Sequence, residues 1–394
     1  MGLLTQWRDD PLGSILGPDL SLRFLAELFE RDFCLSKGLS ADRFDGLISI
    51  ADVDRIVTST DLREGDLGLA NAGRAPIDAS SYVDDGGYID RGAVARHYRD
   101  GATIILNQAQ RIVPALGELC RGLEYVFSSH IQTNLYLTPP GEQGFQTHFD
   151  NHDVFVIQVA GAKDWRLYGT PLDLPFRGER FQSGEHETGD LRAEFLLSAG
   201  DCAYVPRGMM HDASTHGDSA SLHITVGLIS KTWADLVLEA AAEAALRIPA
   251  FRQSLPPGFA RDGFDRDAAR ATLADLGQQL GAALQLDPAM DLLTDQFIRS
   301  RAAINRTTIT DANRAISASD RFTRAPLAPY RFAQDGDALC LVVPGGDLHF
   351  TEESRAPLHR ALDGTPFTLA DLGFEHAEAL TRRLFDYGLV ERVG

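Results

Sequence analysis

The feature that most restricts how this chain can fold is a change in its hydrophobic period. Between Ser128 and Ile229 apolar residues recur at every second position, in the short segments HIQTNLYL, DVFVIQVA, KDWRLYG, FLLSAGDCAYVP and SLHITVGL. Such alternation puts successive side chains on opposite faces of a strand. The turn formers Pro139-Pro140-Gly141, Gly161, Gly200-Asp201 and Pro206-Arg207-Gly208 punctuate the segments. Short strands set off in this way predict a β-sandwich or barrel. No helices alternate with them, which argues against a doubly wound parallel sheet.

The flanks follow other periods. The first 84 residues read as helical and mixed, with Leu22, Phe24, Leu25, Leu28, Phe29 and Phe33 near a helical repeat between Leu20 and Phe33. Gly86-Gly87 marks a break, and a helix is expected from Gly101 to Cys120, carrying Ile104, Ile105, Leu106, Ile112, Val113, Leu116 and Leu119. After Lys231 the strands stop. TWADLVLEAAAEAALRI, ARATLADLGQQLGAALQL and MDLLTDQFIRSRAAI form a helical block to about Asn313, interrupted at Pro256-Pro257-Gly258. The last 65 residues read as a small α+β unit, with DALCLVV a strand and TPFTLADLG and HAEALTRRLFDYGLV helices. The expected divisions are a mixed N-terminal segment (1–84), a β-rich domain (85–230), a helical region (231–329) and a C-terminal unit (330–394).

The sharpest chemical signal is His148-Phe149-Asp150. Residues i and i+2 of a strand share a face, so imidazole and carboxylate converge. His211 follows the Pro206-Arg207-Gly208 turn, 61 residues after Asp150. Two histidines and one carboxylate on one face of a metal are the facial triad of non-haem Fe(II) oxygenases, whose remaining positions stay open for cosubstrate and O2. His152 and Asp153 compete: His152 has the strand parity of His148 and could replace it. His216 and His223 are alternatives to His211, although His223 also reads as a packed, hydrogen-bonded core histidine. Lys163 shares a face with Trp165 and Leu167. A lysine aimed into a barrel must meet an anion, which a dicarboxylate would supply; the other reading is a solvated hairpin tip. Asn134 and Tyr136 place an amide and a phenol on the face opposite Leu135 and Leu137.

The stretch NLYLTPPGEQGFQTHFDNHDVFVIQVAGAKDWRLYG, followed by GDCAYVPRGMMHDA, resembles the JmjC-type cupin hydroxylases of the ribosomal oxygenase group. The likeness is dense over residues 128–229, supported by domain order beyond, and thin before residue 85. It implies an α+β multidomain chain: a double-stranded β-helix (the cupin or JmjC jelly roll), a helical dimerisation region and a C-terminal winged-helix-like domain. It further implies Fe(II)- and 2-oxoglutarate-dependent hydroxylation of a protein or peptide side chain. His148, Asp150 and His211 match the iron ligands. Lys163 matches the partner of the distal carboxylate of 2-oxoglutarate, and Asn134, Tyr136 and Thr225 match positions lining that pocket. Gly227 stands where some relatives have a small hydroxyl residue. Met209-Met210 departs from the bulkier aromatics expected before the second histidine. By the same resemblance, 2-oxoglutarate chelates iron, O2 enters when substrate binds, and succinate and CO2 leave as a substrate C–H becomes C–OH.

Charge narrows the partners. The 394 residues hold 37 Lys plus Arg against 56 Asp plus Glu, a net charge of −19. Such a chain repels a phosphate backbone and attracts basic polypeptides, so a basic protein or peptide substrate, ribosomal-protein-like as the resemblance implies, is expected and DNA is not. Residues 330–394 contain six Arg, no Lys and eleven Asp plus Glu, against a DNA-binding reading of the winged helix. Cys34, Cys120, Cys202 and Cys340 are scattered and unpaired in pattern, as in a reducing compartment. With a poor signal peptide and no apolar stretch of membrane-spanning length, a cytoplasmic protein is expected. The helical region is the expected homodimer surface. Two other functions fit the same residues: a hydroxylase tailoring a peptide natural product or amino acid, and a non-catalytic metal-binding cupin scaffold.

Overall fold

The structure, a computed structural model, describes residues 4–302, 313–336 and 338–393. They divide into two compact units, residues 1–230 and 231–394.

The first unit is built on two sheets. Strands β1 (Cys34–Ser36), β2 (Leu67–Ala70), β3 (Thr103–Leu106), β4 (His130–Thr138), β5 (Asp153–Ala160), β8 (Cys202–Val205) and β10 (Ser221–Ile229) make a sheet ordered β1-β8-β5-β10-β4-β3-β2. Strands β6 (Ala162–Leu167), β7 (Ala193–Ser198) and β9 (His211–Thr215) make a second, ordered β7-β6-β9. All pairings are antiparallel. Alternation explains how the larger sheet serves two cores. Phe155, Ile157, Leu222, Ile224, Val226, Leu135 and Leu137 face a cluster that includes Trp7, Leu12, Ile15, Leu116 and Leu119 from the helical segments. Val154, Val156, Ala203 and Val205 point the other way, onto Trp165, Leu167 and Leu197 of the second sheet. The result is a double-stranded β-helix, and its interior lies between the sheets.

Two predicted helices of the first unit are corrected. Residues 101–120 are not one helix: Thr103–Leu106 is a strand, and the helix Pro114–Phe127 begins only at its N-terminal proline. All four residues of β3 are buried, so their continuous apolar run has no period to reveal a strand. The helical turns after Pro18 continue as a wider π turn over Phe24–Leu28 and stop there, short of Phe33. Phe24 is fully buried against Phe155 and Tyr204, whereas Leu22 is 87% exposed, so the expected stripe is not buried as a whole. The segment before residue 85 also contributes β1 and β2 to the large sheet.

In the second unit the helices Trp233–Arg247, Asp267–Ala283 and Leu286–Arg299 coincide with the predicted block. The end of the third predicted helix, at Ile304, lies outside the described residues. Strands β12 (Arg331–Asp335), β13 (Ala338–Val343) and β14 (Gly346–Phe350) form a three-stranded antiparallel sheet, and β11 (Phe322–Arg324) pairs with β15 (Val390–Arg392). They enclose Phe322, Leu341, Phe367 and Leu384 with the helices Arg355–Leu362 and Ala377–Asp386. TPFTLADLG holds a single 3-10 turn, Leu369–Leu372, in place of the expected helix. No helix among the described residues is long and apolar enough to cross a membrane.

Candidate active site

The turn after β8 brings the predicted triad together. Gly208 adopts a left-handed φ of +87°, and its N–H donates to the Asp150 carbonyl at 2.9 Å. A Cβ there would lie 2.1 Å from the Leu172 carbonyl oxygen, so only glycine fits. From this turn the chain enters β9 at His211, whose backbone exchanges two hydrogen bonds with His148, at 2.7 and 3.0 Å. Each imidazole is held through Nδ1, His148 by the Gln146 carbonyl at 2.8 Å and His211 by the Met209 carbonyl at 3.0 Å. Donation from Nδ1 leaves Nε2 as the free electron pair. His211 Nε2 lies 3.8 Å from Asp150 Oδ2, and one ligand atom from each of His148, Asp150 and His211 lies within 4.8 Å of the others.

The electrostatics suit a cation. Burial, with His148 adding to it and Asp150 opposing, lowers the His211 pKa to about 4, so this ring is neutral at pH 7. Burial alone would raise the Asp150 pKa, but His152, His211 and His148 outweigh it and hold the carboxyl below its ordinary value. The competing residues go elsewhere. His152 packs over Gly227, where a Cβ would come within 2.8 Å of its ring. The bare backbone at Gly227 is therefore what admits that ring. Asp153 is fully buried and binds Arg207 Nη1 at 2.7 Å and the Tyr204 hydroxyl at 2.7 Å. His216 pairs with Asp164 at 2.8 Å on the surface.

Beside the triad lies a cavity of about 250 Å³, lined among others by Tyr136, Lys163, Trp165, His223 and Thr225. Lys163 is only 3% exposed, so it is an interior residue and not a hairpin tip. Its Nζ donates to Thr138 Oγ1 at 3.1 Å, and no carboxylate among the described residues pairs with it. Burial depresses its pKa to about 7. Tyr136 is pushed up by burial and then by Asp150, and stays a neutral phenol. Asn134 is not among the lining residues. Its side-chain oxygen accepts the Gln108 N–H at 3.0 Å, and its side chain also bonds the Tyr136 phenol. His223 departs from the expected satisfied core histidine. Its ring stacks on Tyr136 at 4.8 Å between centroids, yet its buried Nδ1 has no partner among the described residues.

Sequence reasoning missed Asp212. It is 3% exposed and accepts from Thr147 Oγ1 at 2.7 Å, Arg166 Nε at 2.8 Å and the Tyr168 hydroxyl at 3.0 Å. It thereby ties the loop carrying His148 to the strand carrying His211. Asp212 also lines a second cavity of about 590 Å³, with Glu142, Gln146, Phe181 and His186. Phe145 and Phe181 flank the His148 ring at 5.6 and 6.4 Å. Recognition of β9 would have exposed Asp212, because Arg166 is its cross-strand partner on β6. The site as a whole can hold a divalent metal on one face with positions left open, beside a buried lysine that pairs with no carboxylate among the described residues.

A family model for the JmjC domain matches residues 105–236. The chain is 34% identical over 252 residues to a protein of Dictyostelium discoideum named bifunctional lysine-specific demethylase and histidyl-hydroxylase NO66, covering 56% of this chain and 48% of that protein. It is 28% identical over 307 residues to ribosomal oxygenase 1 of Danio rerio, covering 72% and 55% respectively. The chain thus spans about half the length of these curated relatives. A solved structure of YcfD, a ribosomal oxygenase from Escherichia coli, in complex with cobalt and 2-oxoglutarate, superposes with a TM-score of 0.54. At 15% identity, covering 96% of this chain and 99% of that one, this likeness concerns the fold.

Proposed function

Because the chain carries a JmjC domain and is related in sequence to ribosomal oxygenases, we propose that it is an Fe(II)- and 2-oxoglutarate-dependent dioxygenase hydroxylating a side chain of a protein or peptide. The observation that carries this reading is the convergence of His148, Asp150 and His211 within 4.8 Å beside the buried, carboxylate-free Lys163. The donor set fits iron: two imidazoles and a carboxylate, with no thiolate to favour zinc or a cluster. Lys163 and the unpartnered His223 Nδ1 fit an anionic cosubstrate.

In this reading Fe(II) supplies activation of O2, coupled to conversion of 2-oxoglutarate to succinate and CO2, for insertion of one oxygen atom into a substrate C–H. The protein supplies the geometry. His148 and His211 present Nε2, Asp150 presents a carboxylate oxygen, and the Gln146 and Met209 carbonyls fix both rings. Lys163 anchors the distal carboxylate, Tyr136 and Thr225 line the cosubstrate's cavity, and Trp165 helps exclude water from it. Asp212 holds the two histidine-bearing segments in register. Glu142 in the outer cavity, with the net charge of −19, supports a basic, ribosomal-protein-like substrate.

The divisions 1–84, 85–230, 231–329 and 330–394 belong to the same proposal, the first segment lending β1 and β2 to the barrel. The sheet β12-β13-β14 with its two helices supports a winged-helix-like C-terminal domain, and exposed Trp233, Leu238, Leu246 and Leu273 support a homodimer through the helical region. Four free, buried cysteines support a cytoplasmic setting. The test is succinate release from 2-oxoglutarate with Fe(II), with and without basic peptides, alongside mass spectrometry for a gain of one oxygen. Turnover that disappears in His148→Ala is expected. Absence of turnover in the wild type with a verified basic substrate would refute the proposal.

A further inference from the structure

His223 is the one cavity-lining side chain whose placement the triad and Lys163 do not explain. Strand β10 pairs His223 with Tyr136 on β4 and with Gln158 on β5, while Leu222 and Ile224 turn into the apolar core. His223 and Thr225 therefore share the face toward the cavity, which both line. The ring is 5% exposed and stacked on Tyr136 with an interplanar angle of 2°. Its Nδ1 is buried with no hydrogen-bond partner among the described residues. A buried polar nitrogen left unmade costs free energy in the free protein, and a ligand that satisfies it recovers that cost.

The neighbours identify the ligand's charge. Lys163 is close enough to act electrostatically on the His223 ring. Around that end of the cavity stand Thr138, which accepts from Lys163, and Thr103, which donates to Thr138 at 3.1 Å. No carboxylate among the described residues pairs with Lys163 or His223. Trp165 spans the cavity, its centroid 5.9 Å from His211 and 6.2 Å from His223. All three rings line the one cavity that also holds Lys163 and the triad, so a dicarboxylate chelating a metal at one end would lie in the cavity His223 faces.

Resting on the oxygenase reading above, we infer that His223 donates a hydrogen bond from Nδ1 to the distal carboxylate of 2-oxoglutarate, acting with Lys163 as the second half of a two-point cradle. Lys163 supplies charge, and the imidazole, held flat by Tyr136, supplies direction. Together they select a 2-oxoacid with a distal carboxylate over one without it.

The test is calorimetric titration of the full-length, Zn(II)-loaded protein, which cannot turn over, with 2-oxoglutarate and with pyruvate, which keeps the chelating end and lacks the distal carboxylate. His223→Leu should weaken 2-oxoglutarate binding roughly 10-fold or more and leave pyruvate binding unchanged, and His223→Asn should recover part of the loss. Unchanged 2-oxoglutarate affinity in His223→Leu, or equal weakening for both ligands, would overturn the role of His223 alone. A wild type that binds neither ligand would sink the oxygenase reading with it. If His223→Leu does not fold, nitrogen-15 NMR of the wild-type Zn(II) protein reads Nδ1 directly. A shift with 2-oxoglutarate and none with pyruvate supports the inference, and no shift with either overturns it.

Discussion

A lysine amine at 3% exposure, with one threonine hydroxyl as its hydrogen-bond partner among the described residues, is costly to charge. Unfolded, Lys163 titrates near its ordinary 10.5; folded, near 7. The unfolded chain therefore binds more protons between these values, and stability rises with pH across that window. Removal of the group in Lys163→Met should flatten that rise, as read by thermal melts from pH 7 to 10 without cosubstrate. A second outcome concerns binding. Lys163→Ala should raise the apparent 2-oxoglutarate requirement by about 10-fold or more while iron affinity changes little; equal cosubstrate affinity in both proteins would remove Lys163 from the site. At this scale much was legible. The glycine turn was readable from the sequence, but strand parity is not what joins His148 to Asp150, since both lie in the loop before β5, tied to β9 by a single bridge at His148. Parity gives the face of a residue and not its neighbours: Asn134 shares a face with Tyr136 but turns its oxygen to the Gln108 N–H, and His223, expected in a packed core, lines the cavity.

Elements were legible from alternation or from the turns that bound them. β4 alternates plainly in burial along its length, while β5 and β10 are buried almost throughout and were visible as short apolar runs between turn formers. β3 is buried throughout and offers no alternation, and β9, HDAST, has almost no apolar side chains to alternate. Partners define such strands: β9 exists because β6 supplies its ladder, a non-local fact. The turn before β9 carries a prediction of its own. Gly208→Ala must push a Cβ against the Leu172 carbonyl at a positive φ. It should cost about 1–3 kcal/mol in denaturant unfolding and weaken metal binding, since Gly208 also holds the Asp150 backbone. Wild-type stability and metal affinity in this variant would show that the turn does not position the triad.

For the whole molecule, charge and order of elements were readable, while association was not, because exposed side chains do not name their partner. Trp233 is 77% exposed, Leu238 70% and Leu273 71%. The proposed homodimer should give a light-scattering mass near twice 43.0 kDa, and Leu238→Glu with Leu273→Glu should halve it; a wild-type mass near 43.0 kDa would reject the dimer. The C-terminal arginines that might have met a phosphate backbone are already engaged. Arg382 reaches Glu378, Arg383 donates to the His349 carbonyl, and Arg331 binds Asp295 and Asp291. Fluorescence anisotropy with duplex DNA at low salt should accordingly show no binding; a salt-sensitive complex would contradict the electrostatic argument.

The two backbone carbonyls that pin His148 and His211 have a consequence for selectivity. With ring orientation imposed by peptide oxygens, the proposed ligands stand ready before any ion arrives, and a rigid nitrogen–oxygen set would rank divalent ions by their intrinsic affinity series, in which ferrous iron is among the weaker binders. Choice of the native ion then falls to the host's supply. Elemental analysis of protein grown in iron-, nickel- or zinc-enriched medium should mirror the medium, and an unvarying iron content would show discrimination built into the chain itself.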